Sequence, residues 1–270
     1  MSRLVLILVS LAAFACAPAE QGARVPATSA PESAAHRQDD ARELTWPALA
    51  ELPWPAPQTA FTGYGSRVRD ELWALYVDGG VELYCRIEFT ADEAAARRID
   101  SGILTWEHVY PADRIAEALG FEDRGCKTPE ADAVAREDTC LAAISDMHNL
   151  WPASGRINSS RSNHPYGLLE GEGTNNPTFA EFCPDFERTY GTRQAFIEPT
   201  DTARGDIARS LIYMHFVYDL PLEPVIDEPD RLLEWAESDP VDRDELDREV
   251  LIRERQGTGS PLIVLPTPSS

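Results

Sequence analysis

The 270-residue chain contains one lysine, Lys127, beside 23 arginines, and its 46 acidic residues bring the formal net charge to −22. A sequence-wide basic footprint for nucleic acid is therefore absent. Any phosphate the protein handles must be met by locally placed arginine or by a bound cation. Long apolar runs are also missing: outside the N-terminus none reaches the roughly 18 residues that a membrane-spanning helix needs. Neither an HExxH nor a CxxC spacing occurs, which argues against the usual zinc arrangements, and there is no internal repeat. What remains, at 43% hydrophobic and 26% charged residues, has the composition of a globular domain.

Met1-Ser2-Arg3, the apolar stretch Leu4 to Ala15 and the small residues after it have the three-part layout of a secretory signal, which predicts export. Cys16 stands where a bacterial lipoprotein signal places its lipidated cysteine, and Ala13-Phe14-Ala15 equally suits ordinary cleavage. Both fates stay open: a secreted or periplasmic protein, or an envelope lipoprotein whose only membrane contact is an N-terminal lipid. Without Cys16, the cysteines Cys85, Cys126, Cys140 and Cys183 make an even number suited to two disulfides outside the cytosol. Residues 17–57, rich in Ala, Pro, Ser, Glu and Gln, read as a flexible linker, so the expected division is signal 1–16, linker 17–57 and domain 58–265.

Within that domain a helix is predicted over Ser66 to Val77, broken by Gly79-Gly80. Strands are predicted over Val81 to Phe89 and Ile103 to Tyr110, the second stopped by Pro111, with a helix over Ala112 to Leu119. The segment bearing Cys126 and Cys140 reads as a loop that a disulfide between them would hold in shape. A buried helix is expected from Ile207 to Val217, with Asp206 at its N-terminal end, and two more over Arg231 to Ser238 and Asp242 to Arg255. From Asp219 to Arg255 the net charge is −9, which predicts a solvated acidic surface rather than a phosphate-binding one.

Three clusters carry chemistry: Trp106-Glu107-His108, Asp146-Met147-His148-Asn149-Leu150-Trp151-Pro152, and Arg156-Ile157-Asn158-Ser159-Ser160-Arg161-Ser162-Asn163. A carboxylate and an amide oxygen are hard donors suited to Mg²⁺, which takes few protein ligands and keeps waters that a phosphate displaces. A neutral histidine beside such an ion can deprotonate water. Strand geometry argues against Glu107 and His108 acting together, because neighbouring side chains point to opposite faces, so a distortion near Pro111 is expected if they share a site.

Together these clusters resemble the endonuclease I family of secreted and periplasmic non-specific nucleases, over roughly Phe61 to Leu262. The resemblance is carried by Leu83-Tyr84-Cys85, by Trp106-Glu107-His108-Val109-Tyr110-Pro111-Ala112 and by Asp146 to Ala153 running on to Asn158 and Arg161-Ser162-Asn163. It continues through Phe196-Ile197-Glu198-Pro199, Ala203-Arg204-Gly205-Asp206, Pro240-Val241-Asp242 and Arg255-Gln256-Gly257. It implies an α+β, helix-rich nuclease domain with an embedded ββα-metal motif, one of the His-Me finger superfamily. His108 would be the general base, and Glu107 and Asn158 would hold Mg²⁺, with Mn²⁺ or Ca²⁺ as substitutes. The segment around His148 and Asn149 would form the second strand in a structural role, and Asn158 would open the helix.

The same resemblance asks for an arginine near the scissile phosphate. Arg136, four residues before Cys140, is the nearest candidate, and Arg124 competes with it. Arg161 at helical spacing from Asn158, and Arg204 and Arg209 around the Arg-Gly helix, are the expected nucleic-acid contacts. The implied reaction is metal-dependent endonucleolytic hydrolysis of DNA, with RNA as a second substrate, to 5′-phosphate and 3′-hydroxyl ends and with little sequence preference. No protein partner is predicted. The alternative is a non-catalytic envelope lipoprotein that uses the nuclease fold as a binding or structural module.

Overall fold

The computed structural model describes residues 44–127, 134–170, 179–189 and 195–264. The predicted signal, Cys16 and the linker up to Glu43 lie outside them. The chain runs through α1 (Trp46–Ala50), α2 (Ser66–Leu75), β1 (Gly79–Val81), β2 (Glu88–Thr90), α3 (Ala91–Ala96), β3 (Arg98–Ile99), β4 (Gly102–His108), α4 (Ala112–Ala118) and α5 (Val134–Ile144). It continues with β5 (Leu150–Ser154), α6 (Gly155–Arg161), β6 (Glu187–Arg188), β7 (Ile197–Glu198), α7 (Arg204–Tyr218), α8 (Arg231–Ser238) and α9 (Arg243–Gln256). This is the expected α+β, helix-rich architecture.

The centre is a three-stranded sheet ordered β3-β4-β5, in which β4 and β5 pair antiparallel from Leu104 opposite Ser154 to His108 opposite Leu150. Successive side chains leave a strand on opposite faces, and here both faces are covered. Leu104, Trp106 and Leu150 enter a cluster with Phe61, Val68, Leu72 and Phe89. Trp151 and Ala153 enter the larger cluster built around α7. Hence β5 is buried at every position. Pro152 has no amide hydrogen for the ladder, and its carbonyl accepts from the Leu83 amide at 2.8 Å. Gly155 lets α6 start directly against β4, since a Cβ there would sit 3.0 Å from the Ile103 carbonyl oxygen. β4, β5 and α6 form the ββα unit.

Helix α7 is buried around nearly its whole circumference, with Ile207, Ala208, Leu211, Ile212 and Met214 inaccessible. A Cβ on Gly205 would lie 2.0 Å from the Asp239 carbonyl oxygen, so this helix start needs glycine to pack against the segment after α8. Asp206 sits inside the first turn rather than capping it, bound to Arg86 at 2.8 Å and to Arg209 at 3.2 Å. Asp242 does cap α9, accepting from the Glu245 amide at 2.9 Å.

Several local expectations are corrected. The single strand over Val81 to Phe89 is instead the hairpin β1-β2, with Gly80 opposite Phe89 and a turn through Tyr84 and Cys85 where Arg86 has φ 53°. The alternating pattern there reflects buried turn residues, Leu83 and Tyr84, not continuous pairing. Cys140 lies on α5 rather than in a loop, and it is bonded to Cys126, while Cys85 is bonded to Cys183. The linker does not extend to Pro57 as expected. Trp54 stacks on Phe216 with ring centroids 4.7 Å apart, donates to the Leu49 carbonyl at 2.8 Å, and with Trp46 packs on the main core.

His148 and Asn149 are not strand residues; they sit in a 3₁₀ turn, Met147–Asn149, just ahead of β5. His148 is buried between Asp146 and Glu249, 3.0 Å from each, and stacks on Tyr213. Arg248 of α9 closes the turn from outside, donating to the Met147 carbonyl and, at 2.7 Å, to that of Leu150. Burial alone would lower the pKa of His148, but the hydrogen bonds and charges of Asp146 and Glu249 hold it above its ordinary value. For Asp146 burial acts upward and is outweighed by His148, Gln256 and Tyr218, so its carboxyl titrates below the usual range.

Two outcomes follow. Trp54→Ala costs about 2 kcal/mol in urea unfolding, because a half-buried stacked indole is lost; a linker residue would cost nothing. The raised pKa of His148 means its stabilisation is present in full below about 6.5, the unfolded value, and is lost as pH rises through the folded value. The contribution of His148 to stability is therefore smaller at pH 9 than at pH 5. In His148→Gln the alkaline decline in stability is smaller than in wild type, and an identical decline in both proteins would refute the assignment.

Candidate active site

A cleft of about 860 Å³ opens where β4 ends, lined among others by Tyr64, Glu107, His108, Arg124, Asn158 and Arg161. Four of these, Glu107, His108, Asn158 and Arg161, stand on the ββα unit for local reasons. Beyond His108 the ladder is prolonged by Asn149: its carbonyl accepts from the Val109 amide, its Oδ1 from the Tyr110 amide at 2.6 Å, and its Nδ2 donates to the Tyr110 carbonyl at 2.9 Å. A side-chain amide thus takes over from a backbone peptide and holds the strand end in place. The cleft meets that end, so Glu107 and His108 both line it although they are neighbours in the strand.

Glu107 is only 1% exposed; its Oε1 accepts from the Tyr84 hydroxyl at 2.9 Å and forms an ion pair with Arg161 Nη1 at 3.1 Å. Burial pushes its carboxyl up to about 7, against the downward pull of Arg161 and Tyr84. Both contacts fall on Oε1, leaving Oε2 for the cleft. Asn158, the fourth residue of α6 rather than its first, donates from Nδ2 to Thr105 Oγ1 at 3.2 Å and to the Trp106 carbonyl at 3.0 Å. Its amide nitrogen is spent on β4, and Oδ1 is the atom left over. An under-compensated carboxylate and an amide oxygen on one cleft are a hard-donor set that fits a divalent cation. Among the described residues no three His, Cys, Asp or Glu side chains gather as metal ligands. A cation here would therefore be held by few protein groups, as Mg²⁺ accepts.

His108 has its Nε2 2.9 Å from the Ile144 carbonyl oxygen at the end of α5. A carbonyl only accepts, so the proton sits on Nε2 and Nδ1 keeps its lone pair. Burial, reinforced by the positive charges of Arg161 and Arg124 and opposed by the Ile144 bond, pushes the pKa down to about 4. The ring is therefore neutral at physiological pH. The edge of Tyr64 meets it at 4.7 Å between centroids.

The arginines divide differently from expectation. Arg124 lines the cleft and is exposed; Arg136 does not line it, and its guanidinium lies 5.7 Å above the Phe121 ring. Arg161 lines the cleft but is 1% exposed, with its donors turned inward to Glu107 and to the carbonyls of His108, Val109 and Ser162. It is no open phosphate clamp. Arg204 pairs with Glu198 and Asp201, each at 2.7 Å, and lies over Trp235. Arg209 is buried against Glu245 and Asp206. Neither of these two lines the cleft, and their partners are the acidic residues that surround α7. Cys85, Cys126, Cys140 and Cys183 form two bonds, and His148 and Asn149 act in support.

Sequence reasoning missed Tyr64, the paired hydroxyls of Tyr84 and Tyr166, 2.8 Å apart beneath Glu107, and the Ile144 carbonyl. A backbone acceptor carries no residue signature, and an isolated tyrosine has no periodicity to mark it.

The Endonuclease I family model matches residues 66–267. Endonuclease-1 of Buchnera aphidicola subsp. Acyrthosiphon pisum is 33% identical over 181 residues, 64% of this chain and 62% of that protein. An extracellular deoxyribonuclease of Aeromonas hydrophila is 30% identical over 210 residues, 72% of this chain and 85% of that one. A periplasmic deoxyribonuclease of the same organism is 29% identical over 211 residues, with 73% and 83% covered. The chain thus spans less than two thirds of the Buchnera protein and most of the Aeromonas ones. With its ββα unit and a family match running from α2 past α9, this chain belongs to the endonuclease I family of nucleases.

Proposed function

We propose that the protein is an exported endonuclease that hydrolyses DNA phosphodiester bonds with Mg²⁺ and without sequence preference, leaving 5′-phosphate and 3′-hydroxyl ends. The observation that carries this reading is a neutral His108, fixed through Nε2 with its Nδ1 lone pair free, in one cleft with the oxygens of Glu107 and Asn158. The N-terminal signal and the extracellular or periplasmic relatives support export. RNA carries the same phosphodiester and is the natural second substrate.

When bound, a divalent ion supplies positive charge for the phosphate and the leaving oxygen. Glu107 and Asn158 hold it, the one as a charged oxygen donor and the other as a neutral one. Nδ1 of His108 accepts the proton of the attacking water, and the bond to Ile144 keeps the ring from turning away. Arg124, which lines the cleft, rather than Arg136, which does not, meets the phosphate. Nothing in this arrangement reads base edges, because the contacts go to phosphate. The bulk charge of −22 opposes DNA, and most of the −9 surplus from Asp219 to Arg255 comes from the segments that connect α7, α8 and α9, whose acidic residues do not line the cleft.

Plasmid cleavage tests this. His108→Ala lowers kcat by about 10²- to 10⁴-fold, the span of a lost general base, and EDTA abolishes wild-type cleavage. Arg124→Ala lowers kcat/KM by more than about tenfold, the scale of a lost charge-assisted contact, while Arg136→Ala and Arg204→Ala stay within about twofold. Folded protein with no cleavage at any salt or with any divalent ion would sink the enzyme reading and leave a binding module.

A further inference from the structure

The sequence suggests Arg161 as a phosphate contact, yet its surroundings describe something else. Nη1 reaches Glu107 Oε1 at 3.1 Å, the His108 carbonyl at 3.1 Å and the Ser162 carbonyl at 3.2 Å, and Nη2 reaches the Val109 carbonyl at 2.6 Å. The guanidinium carbon lies over the Tyr166 ring, 4.6 Å from its centroid, and Tyr166 is itself hydrogen-bonded to Tyr84, the other partner of Glu107. Arg161 is the last residue of α6, the helix that carries Asn158, and every one of these acceptors apart from Ser162 belongs to the last two residues of β4 or to Val109 directly after it. Ser162 itself has φ 55° and ψ −124°, a backbone conformation rare for a residue with a side chain, and its carbonyl is one of the Arg161 acceptors. Strain of this kind persists where the surroundings impose it. Lysine could not reproduce the arrangement: a point charge lacks the planar fork that serves a carboxylate and two successive carbonyls at once.

We propose that Arg161 is a positioning residue that fastens the end of α6 to the end of β4, and thereby fixes the relative placement of Asn158 and Glu107 as a pair of divalent-cation ligands. It acts through those two side chains and makes no contact with DNA phosphate. This rests on the nuclease reading above.

The test compares wild type, Arg161→Lys and Arg161→Met in the full protein by two measurements that do not depend on turnover. The first is calorimetric titration with Mn²⁺ alone. The second is binding of a fluorescent duplex in EDTA across a salt series. Circular dichroism checks folding, and Arg161→Lys, which keeps the charge, serves if Arg161→Met does not fold. A positioning role predicts at least a tenfold loss of Mn²⁺ affinity in both variants, with DNA affinity in EDTA and its salt slope unchanged. A phosphate clamp predicts the reverse: intact Mn²⁺ affinity, weaker DNA binding and a salt slope reduced by about one in Arg161→Met. That result overturns the proposal, as does Mn²⁺ affinity equal to wild type in the variants. A wild type that takes up no divalent ion overturns the nuclease reading and the proposal together.

Discussion

The pairing of β4 with β5, buried on both faces, is the constraint on which the rest of the molecule depends. Two apolar clusters close on it, one from α7 and one from α2 and α9, so the ladder cannot slip by a residue without turning Leu104 and Trp106 out of one core and Ala153 out of the other. That register places His108 at the last rung, opposite Leu150. Asn149 then carries the pairing one step beyond the strand, and Gly155 lets α6 begin against β4 without a gap. Each chemically active group is thus held by an element whose own position is set by packing.

Electrostatics is organised by depth. Arginines on the side of α7, α8 and α9 are largely consumed by carboxylates: Arg86 by Asp206 and Asp242, Arg209 by Glu245, Arg204 by Glu198, and Arg231 by Asp227. Such pairs orient helices more than they stabilise the fold, since desolvation offsets much of the attraction. In the cleft the balance is different. Glu107 has one arginine and one tyrosine hydroxyl for a fully buried carboxylate, and burial prevails, leaving its carboxyl near 7. The same burial keeps His108 neutral. Burial thus shapes the two groups in opposite ways, raising the carboxyl and lowering the imidazole.

Much of the framework was legible because local patterns decide it. A helix from Ser66, a strand from about Ile103 stopped before Pro111, and helices α4, α7, α8 and α9 followed from apolar spacing and from glycine and proline breaks, with ends that fall within three residues of those observed. Glu107, His108 and Asn158 were found through the motifs around them, and the cleft brings all three together. Legibility failed where non-local contacts override composition. A Pro- and Ala-rich stretch gave no hint that Trp46 and Trp54 dock on Phe216. The alternation from Val81 to Phe89 looked like a strand because Leu83 and Tyr84 are buried, although they belong to a turn.

The arginines show the boundary most sharply. Residue type and spacing determined that the chain carries a ββα unit, an acid, an imidazole and an amide in family order, since side-chain chemistry and strand or helix period are properties of neighbours along the chain. Which arginine is exposed in the cleft was decided only by tertiary structure. Arg161 lies three residues from Asn158, on the helix face that should meet the cleft, yet its donors are taken by Glu107 and by the carbonyls of His108 and Val109, while Arg124 lines the same cleft and is exposed. A guanidinium binds whatever acceptors the fold brings within about 3 Å, and those acceptors come from strands and helices far away in sequence.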